Sequence, residues 1–367
     1  MATPRPDLWK KPGRVRPREV RADPVKTTHP AIGGRAIVVR TISVGAFIFL
    51  AACAPRLEPA GPAIQAPVLL EDKLVQADGA ALPVRRWLPD GTPRAVIIAL
   101  HGFNDYARAF EKPGAYWATR GIATYAFDQR GFGNAPKRGL WPGHDTMVAD
   151  VAAAVALIRA RHPDRPLFVA GESMGGAIAM IAAARGLLKA DGLILVAPAL
   201  RGRRYIGAFP RASLWLGART IPWYPLTGQG LRIQASDNIP MLRALGADPL
   251  IIKETRVDAI KGLVDTMDAA IVSAPNIRTP SLILYGARDE LVPKKPTFDM
   301  IAALPPAIGH RPAVYRSGWH LLLRDLKAQI VLDDIVAWIT DRPAPLPSGA
   351  DKAARDAMAA TSSKPRN

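Results

Sequence analysis

The stretch Leu167-Phe168-Val169-Ala170-Gly171-Glu172-Ser173-Met174-Gly175-Gly176 decides how this chain is read. Residues 167–170 form a short apolar run of the kind that makes a buried strand, and residues 174–188 are Ala-rich with a helical pattern. A serine between the two sits on a sharp strand-to-helix turn, which forces unusual backbone angles and points the hydroxyl out of the sheet. Gly171 and Gly175 have no side chain to clash where strand and helix pass closely. The amide of Met174, at the helix N-terminus, is aimed at any oxyanion that forms beside Ser173. G-x-S-x-G alone is a weak pattern. With a strand before it and a helix after it, Ser173 reads as a nucleophile rather than an inert surface serine.

The pattern outward from this turn predicts the fold class. Strand candidates lie at 82–88, 95–100, 122–127, 167–170, 193–196, 282–285 and 313–315, alternating with helical patterns at 145–161 (capped by Asp145), 174–188 and 328–340. Such alternation over residues 67–341 predicts an α/β domain with a mostly parallel sheet covered by helices on both faces. Residues 200–275 interrupt it. They lack clear strands, hold Tyr205, Phe209, Trp215, Trp223 and Tyr224, and show a helical pattern from 248 to 272. A structureless loop of that length is improbable in a compact domain, so an inserted helical cap is expected.

A nucleophilic serine needs a base, an acid and oxyanion donors. Strand 95–100 ends in His101-Gly102-Phe103-Asn104, where Gly102 permits close backbone approach and the Phe103 amide supplies a second donor beside that of Met174. His101 precedes the serine and closes a buried strand, so it reads as structural. The acid and base are expected in the order Ser, Asp, His. Asp289 follows strand 282–285 at its carboxyl end, where open α/β sheets build their sites; the adjacent Glu290 is its competitor. Of the two histidines beyond it, His310 precedes strand 313–315 and His320 follows it, on the edge that carries Ser173 and Asp289. The expected catalytic set is therefore Ser173, Asp289 and His320.

The segments His101-Gly102, Gly171-Glu172-Ser173-Met174-Gly175-Gly176, Gly286-Ala287-Arg288-Asp289 and Gly318-Trp319-His320 resemble those of the monoacylglycerol lipase and lysophospholipase group, serine aminopeptidase-like members of the α/β-hydrolase fold. Asp128-Gln129-Arg130-Gly131-Phe132-Gly133 also fits a turn of this group, with Phe132 where histidine is common. The resemblance spans about residues 67–341. It implies that residues 200–275 form the lid over an acyl site, and that Phe103 and Met174 carry the oxyanion-hole amides.

The ends read differently. Residues 1–34 are rich in Pro and Arg and are expected to be disordered. Residues 42–53 form an apolar stretch that follows Arg35 and Arg40, too short to span a bilayer comfortably but matching a signal-peptide core. Its close, Leu50-Ala51-Ala52-Cys53, resembles the lipobox of bacterial lipoproteins, which implies cleavage before Cys53, acylation of that residue, and anchoring in the cell envelope facing the periplasm. Residues 54–66 read as a tether and 342–367 as a disordered tail. Cys53 is the one cysteine, so no intrachain disulfide or cysteine-rich metal site can form. The charge of +18 is uneven: residues 1–53 hold ten Lys and Arg against three Asp and Glu. No nucleic-acid-binding signature accompanies it.

Three functions remain open from the sequence. The first is hydrolysis of a small acyl ester of lysophospholipid or monoacylglycerol type, with the cap aromatics either lining an acyl pocket or packing the cap's own core. The second is amide hydrolysis by the same residues, and the third a non-catalytic lipoprotein scaffold. Dehalogenation is excluded, because it requires a carboxylate where Ser173 stands. No metal or organic cofactor is implied.

Overall fold

The computed structural model describes residues 55–228, 230 and 233–362. Cys53 and the apolar stretch before it lie outside the described residues. The short strands β1 (Val68–Leu69), β2 (Lys73–Val75) and β3 (Ala81–Trp87) form an antiparallel margin. Then come β4 (Ala95–Leu100), β5 (Ile122–Phe127), β6 (Leu167–Glu172) and β7 (Gly192–Val196), in which every residue is buried. β8 (Pro225–Thr227) and β9 (Glu254–Arg256) pair only with each other, while β10 (Ser281–Gly286) and β11 (Arg311–Tyr315) complete the main sheet. Its order is β1-β2-β3-β5-β4-β6-β7-β10-β11. β3 runs antiparallel to β5, and from β5 to β11 all neighbours are parallel. This is the α/β-hydrolase fold.

The inner strands are continuously apolar because both faces are covered. Successive side chains of β4 divide between two cores: Val96, Ile98 and Leu100 enter one, Ala95, Ile97 and Ala99 the other. Helix α1 (Glu111–Thr119) contributes Trp117 to the second core. The first is filled by α2 (His144–Arg161) and α3 (Met174–Ala184). Residues 174–183 of α3 are all buried, and their small side chains let this helix pack tightly against the sheet.

The cap consists of α4 (Ala208–Thr220), β8, α5 (Ile239–Ala247), β9 and α6 (Val257–Ser273). Its last helix belongs to the main body, since Ala259 and Ala270 of α6 join the first core and Gly262 lies where a Cβ would meet Trp141 Nε1 at 2.2 Å. Past the cap lie α7 (Lys294–Ala303), α8 (Ala328–Thr340), whose Ile335 and Trp338 fill the second core, and α9 (Ala350–Ser362).

Four expectations are corrected here. The 200–275 insertion does contain strands, since β8 and β9 pair antiparallel with Leu226 opposite Thr255; three-residue strands are too short to show an alternating period. Its large aromatics do not fill a cap core: Phe209, Trp215, Trp223 and Tyr224 are exposed, Phe209 by 82%, and only Tyr205 of the five is half-buried. Of the expected tether 54–66, the described residues 55–66 are not free, because Glu58 N–H donates to Trp141 O (2.9 Å), Arg56 N–H to Asp258 Oδ2 (3.2 Å) and Ile64 N–H to Ala77 O (2.8 Å). The supposed disordered tail carries α9. It docks through buried Leu346, Ala350 and Ala354 and through Arg311, whose guanidinium binds the carbonyls of Pro343 and Ala344.

Candidate active site

Strand register brings the expected residues to one margin of the sheet. Leu100 of β4 stands beside Gly171 of β6, Glu172 beside Val196 of β7, Val196 beside Leu284 of β10, and Gly286 beside Tyr315 of β11. The segments beginning at His101, Ser173, Ala287 and Arg316 therefore all leave the carboxyl ends of parallel strands.

Ser173 occupies the turn between β6 and α3 with φ 52° and ψ −113°. A left-handed φ at a non-glycine residue costs on the order of 1–3 kcal/mol. The surroundings enforce it. Ser173 N–H donates to Val196 O (2.9 Å), and Ser173 O accepts from Ala177 and Ala199 (3.1 and 2.9 Å). A Cβ on Gly171 would come within 2.4 Å of Gly175 C, and one on Gly175 within 2.2 Å of Leu100 O. Both glycines are therefore required for the strand, the helix and the neighbouring strand to approach this closely. Among its buried neighbours Glu172 and Met174, Ser173 keeps partial exposure.

Asp289 and His320 meet across the loops after β10 and β11. Asp289 Oδ2 lies 2.7 Å from His320 Nδ1, and both residues are buried. A carboxylate can only accept, so Nδ1 is a protonated ring nitrogen in this pair and the neutral ring has its lone pair on Nε2. Asp289 Oδ1 accepts from the amides of Leu291 and Val292 (2.8 and 2.9 Å), which fixes the carboxylate. Glu290 is exposed and accepts from Gln234 N–H (2.6 Å), so it holds the cap rather than the histidine. His310 stays at the opposite end of β11.

Gly102 packs against the serine, with its Cβ position 3.4 Å from Ser173 Cβ, and Phe103 and Met174 are the residues that follow Gly102 and Ser173 in the chain. The Phe103 ring makes edge contacts with Phe132 (5.6 Å between centroids) and Trp141 (6.0 Å). Phe132 also packs edge-on to His101 (5.6 Å). His101 is fully buried and serves the scaffold. Gln129 N–H donates to its Nε2 (2.9 Å), which leaves Nδ1 to donate to Gly102 O (2.8 Å). Burial keeps its imidazole neutral, with a pKa below the usual histidine range.

Two features of the site were not anticipated. One is a buried ion cluster, in which Arg324 binds Glu172 Oε2 (2.7 Å) and Asp105 Oδ2 (2.8 Å). Burial raises the pKa of Glu172, and Asp105 adds to that rise while Arg324 opposes it. The other is a seam between the cap segment that joins β8 to α5 and the histidine loop. Ser236 Oγ donates to Asp325 Oδ1 (2.6 Å), Trp319 N–H donates to Asp325 Oδ2 (2.8 Å), and Leu321 N–H donates to Ala235 O (3.0 Å). Burial lifts the Asp325 carboxyl to about 6 despite these donors. A cavity of about 400 Å³ lies nearby between α5 and residues 105–112, walled by Met241, Ala244 and Leu245 on the cap side and by Tyr106, Arg108 and Arg324 on the other.

The model of the serine aminopeptidase (S33) family of hydrolases matches residues 91–327, a span that contains every residue of this site. The chain belongs to that family. Among its relatives, the monoglyceride lipase of Rattus norvegicus is 27% identical over 280 residues, covering 73% of this chain and 90% of the relative. The monoacylglycerol lipase of Mycolicibacterium smegmatis is 26% identical over 262 residues, covering 69% and 90%. A phospholipase of Bacillus subtilis is 28% identical over 214 residues, covering 57% and 80%. The monoacylglycerol lipase structure from Paleococcus ferrophilus superposes with a TM-score of 0.59 at 23% identity, covering 70% of this chain and 98% of that one. The family assignment makes the chain a hydrolase, and the structural likeness carries the fold.

Proposed function

We propose that this hydrolase cleaves lipid-like carboxylic esters, of lysophospholipid or monoacylglycerol type, through Ser173, His320 and Asp289. The observation that carries the reading is the 2.7 Å Asp289–His320 hydrogen bond, formed at the same sheet margin as the strained Ser173 turn. His320 Nε2 takes the Ser173 proton as Oγ attacks the acyl carbon, and the carbonyl electrons move onto oxygen, which accepts hydrogen bonds from the Phe103 and Met174 N–H groups. Collapse of this intermediate expels the alcohol, which leaves with the proton held by His320. Water then repeats the sequence on the acyl-enzyme, giving His320 its proton and freeing Ser173 and the carboxylic acid. Asp289 holds the imidazole tautomer and balances its charge throughout.

Lipid-like substrates are supported by the activities for which the relatives are named and by the cap. On α4, exposed Phe209, Trp215 and Leu216 stand among exposed Arg211 and Arg219. Such a face suits the boundary of an anionic membrane. Acylation at Cys53 would hold the enzyme at the envelope membrane, next to those substrates.

The deciding experiment is a panel of p-nitrophenyl esters of rising chain length beside aminoacyl anilides. Esters are expected to be turned over faster, with a preference for medium or long chains. Faster turnover of the anilides would establish instead the amide-hydrolase reading that the family's aminopeptidase name keeps in view. Metabolic labelling with a palmitate analogue tests Cys53, where absence of label removes the anchor.

A further inference from the structure

The buried ion cluster touches no reacting atom, yet each of its members lies a short step from one. Glu172 directly precedes Ser173. Asp105 follows Phe103 by two residues, and Arg324 follows His320 by four. One guanidinium thus joins three chain segments from three strands: Nη2 reaches Glu172 Oε2 at 2.7 Å and Nη1 reaches Asp105 Oδ2 at 2.8 Å. All three residues are at most 9% exposed. The other Glu172 oxygen, Oε1, has no hydrogen-bond partner among the described residues, so Arg324 is what satisfies this carboxylate.

We propose that Arg324 is the positioning residue of this site, fixing the nucleophile turn, the oxyanion loop and the histidine loop in register with one another. This rests on the reading of Ser173, His320 and Phe103 given above. The physical argument is the geometry of the fork. A planar guanidinium presents parallel donors at fixed angles, so two carboxylates bound to it are held at a set separation and orientation. Neither carboxylate can drift towards solvent without leaving a buried charge unpaired, which makes the arrangement stiff. Loop rotations that would move the Phe103 amide or His320 relative to Ser173 must break one arm of the fork. The remaining anchor of Asp105, its acceptance of Tyr106 N–H at 2.8 Å, lies within its own loop and ties it to no other part of the site.

The neutral Arg324→Met and the charge-conserving Arg324→Lys are the test, measured with a soluble short-chain ester. Misplacing reacting groups by about 1 Å costs on the order of 10²-fold in rate. Arg324→Met is expected to lose about a hundredfold in kcat, with KM staying close to that of wild type. Lysine, which keeps the charge but not the fork, is expected to recover about tenfold of that loss. The rate of labelling by a fluorophosphonate, which needs Ser173 but no bound leaving alcohol, should fall in parallel with kcat. A folded Arg324→Met protein with wild-type kcat overturns the proposal, as does a loss confined to KM or one that lysine does not relieve at all.

If Arg324→Met does not fold, Asp105→Asn and Glu172→Gln each weaken one arm at constant size. Each is expected to lower kcat about tenfold at little-changed KM; wild-type kcat in both would overturn the proposal. An inert, unlabelled wild type would overturn the Ser173 reading and this proposal together, whereas an active wild type with equally active variants overturns this proposal alone.

Discussion

Asp289 divides its two carboxylate oxygens, giving one to His320 Nδ1 at 2.7 Å and the other to the amides of Leu291 and Val292 at 2.8 and 2.9 Å. The acid is thus tied to its own loop before it touches the histidine, and the histidine inherits that orientation. Asp289→Asn is isosteric and keeps an acceptor oxygen, but the amide can instead present N–H to the ring and favour the wrong tautomer. A fall in kcat of about 10⁴-fold is expected, with fluorophosphonate labelling slowed in parallel. Ser173→Ala should abolish labelling, and a serine variant labelled like wild type would remove the nucleophile assignment.

Gly171→Ala and Gly175→Ala place a methyl group against backbone rather than a flexible side chain, within 2.4 and 2.2 Å of its nearest neighbour. Overpacking of this kind costs about 1–3 kcal/mol or more. Both variants are expected to unfold at lower denaturant concentration than wild type and to lose activity even where they fold, because relief of the clash must move Ser173. A stable, fully active Gly175→Ala protein would contradict this account of the turn.

Arg130 bridges Asp78 (2.6 Å) and Asp150 (2.7 Å) beneath the loop after β5. Burial lifts the Asp150 carboxyl to about 6 even with Arg130 in place, while the same guanidinium holds Asp78 well below the usual carboxylate range. In Arg130→Met both carboxylates lose their counter-charge, and a destabilisation of about 3–5 kcal/mol is expected at pH 7.5. Asp150 in the folded variant would titrate higher still, above its unfolded value. The penalty it causes is therefore greatest above its folded pKa and recedes as the pH falls and the proton returns. Urea unfolding at pH 7.5 and pH 5 should show a smaller difference from wild type at the lower pH; a larger one would reverse the assignment of Asp150.

The C-terminal helix makes a separate prediction. Truncation after residue 344 removes buried Leu346, Ala350 and Ala354 together with the Ser348 N–H that donates to Asp334 Oδ1 at 3.1 Å. A fall in Tm of about 5 °C or more is expected. An unchanged melting curve would restore the reading of this region as a tail.

The candidate site was more legible in the sequence than the scaffolding around it. The Ser173 turn and the pairing of Asp289 with His320 can be anticipated because a strand-to-helix turn and strand ends leave a local pattern. The buried Arg324 cluster left no such pattern. Glu172 and Arg324 are 152 positions apart, and nothing local tells a charge that will be paired in the interior from one left in water. The helix Ala350–Ser362 was hidden by the run of prolines at 343, 345 and 347, although Ala350, Ala354 and Met358 follow a helical spacing behind it. The cap aromatics misled for the opposite reason: hydrophobic type predicts burial on average, and on α4 that average fails.

The seam between the cap and the histidine loop divides labour within the cap. Gln234, Ser236 and Asn238 are fastened to Glu290, Asp325 and the carbonyl of Arg324, so this part of the insertion shares one rigid frame with the acid and the base. Displacing it would drag His320 out of alignment. The upstream part, α4 and β8, buries few side chains. Changes in residues 208–227 can therefore reshape the exposed face of α4 without breaking the hydrogen bonds that join the rest of the cap to the Asp289 and His320 loops.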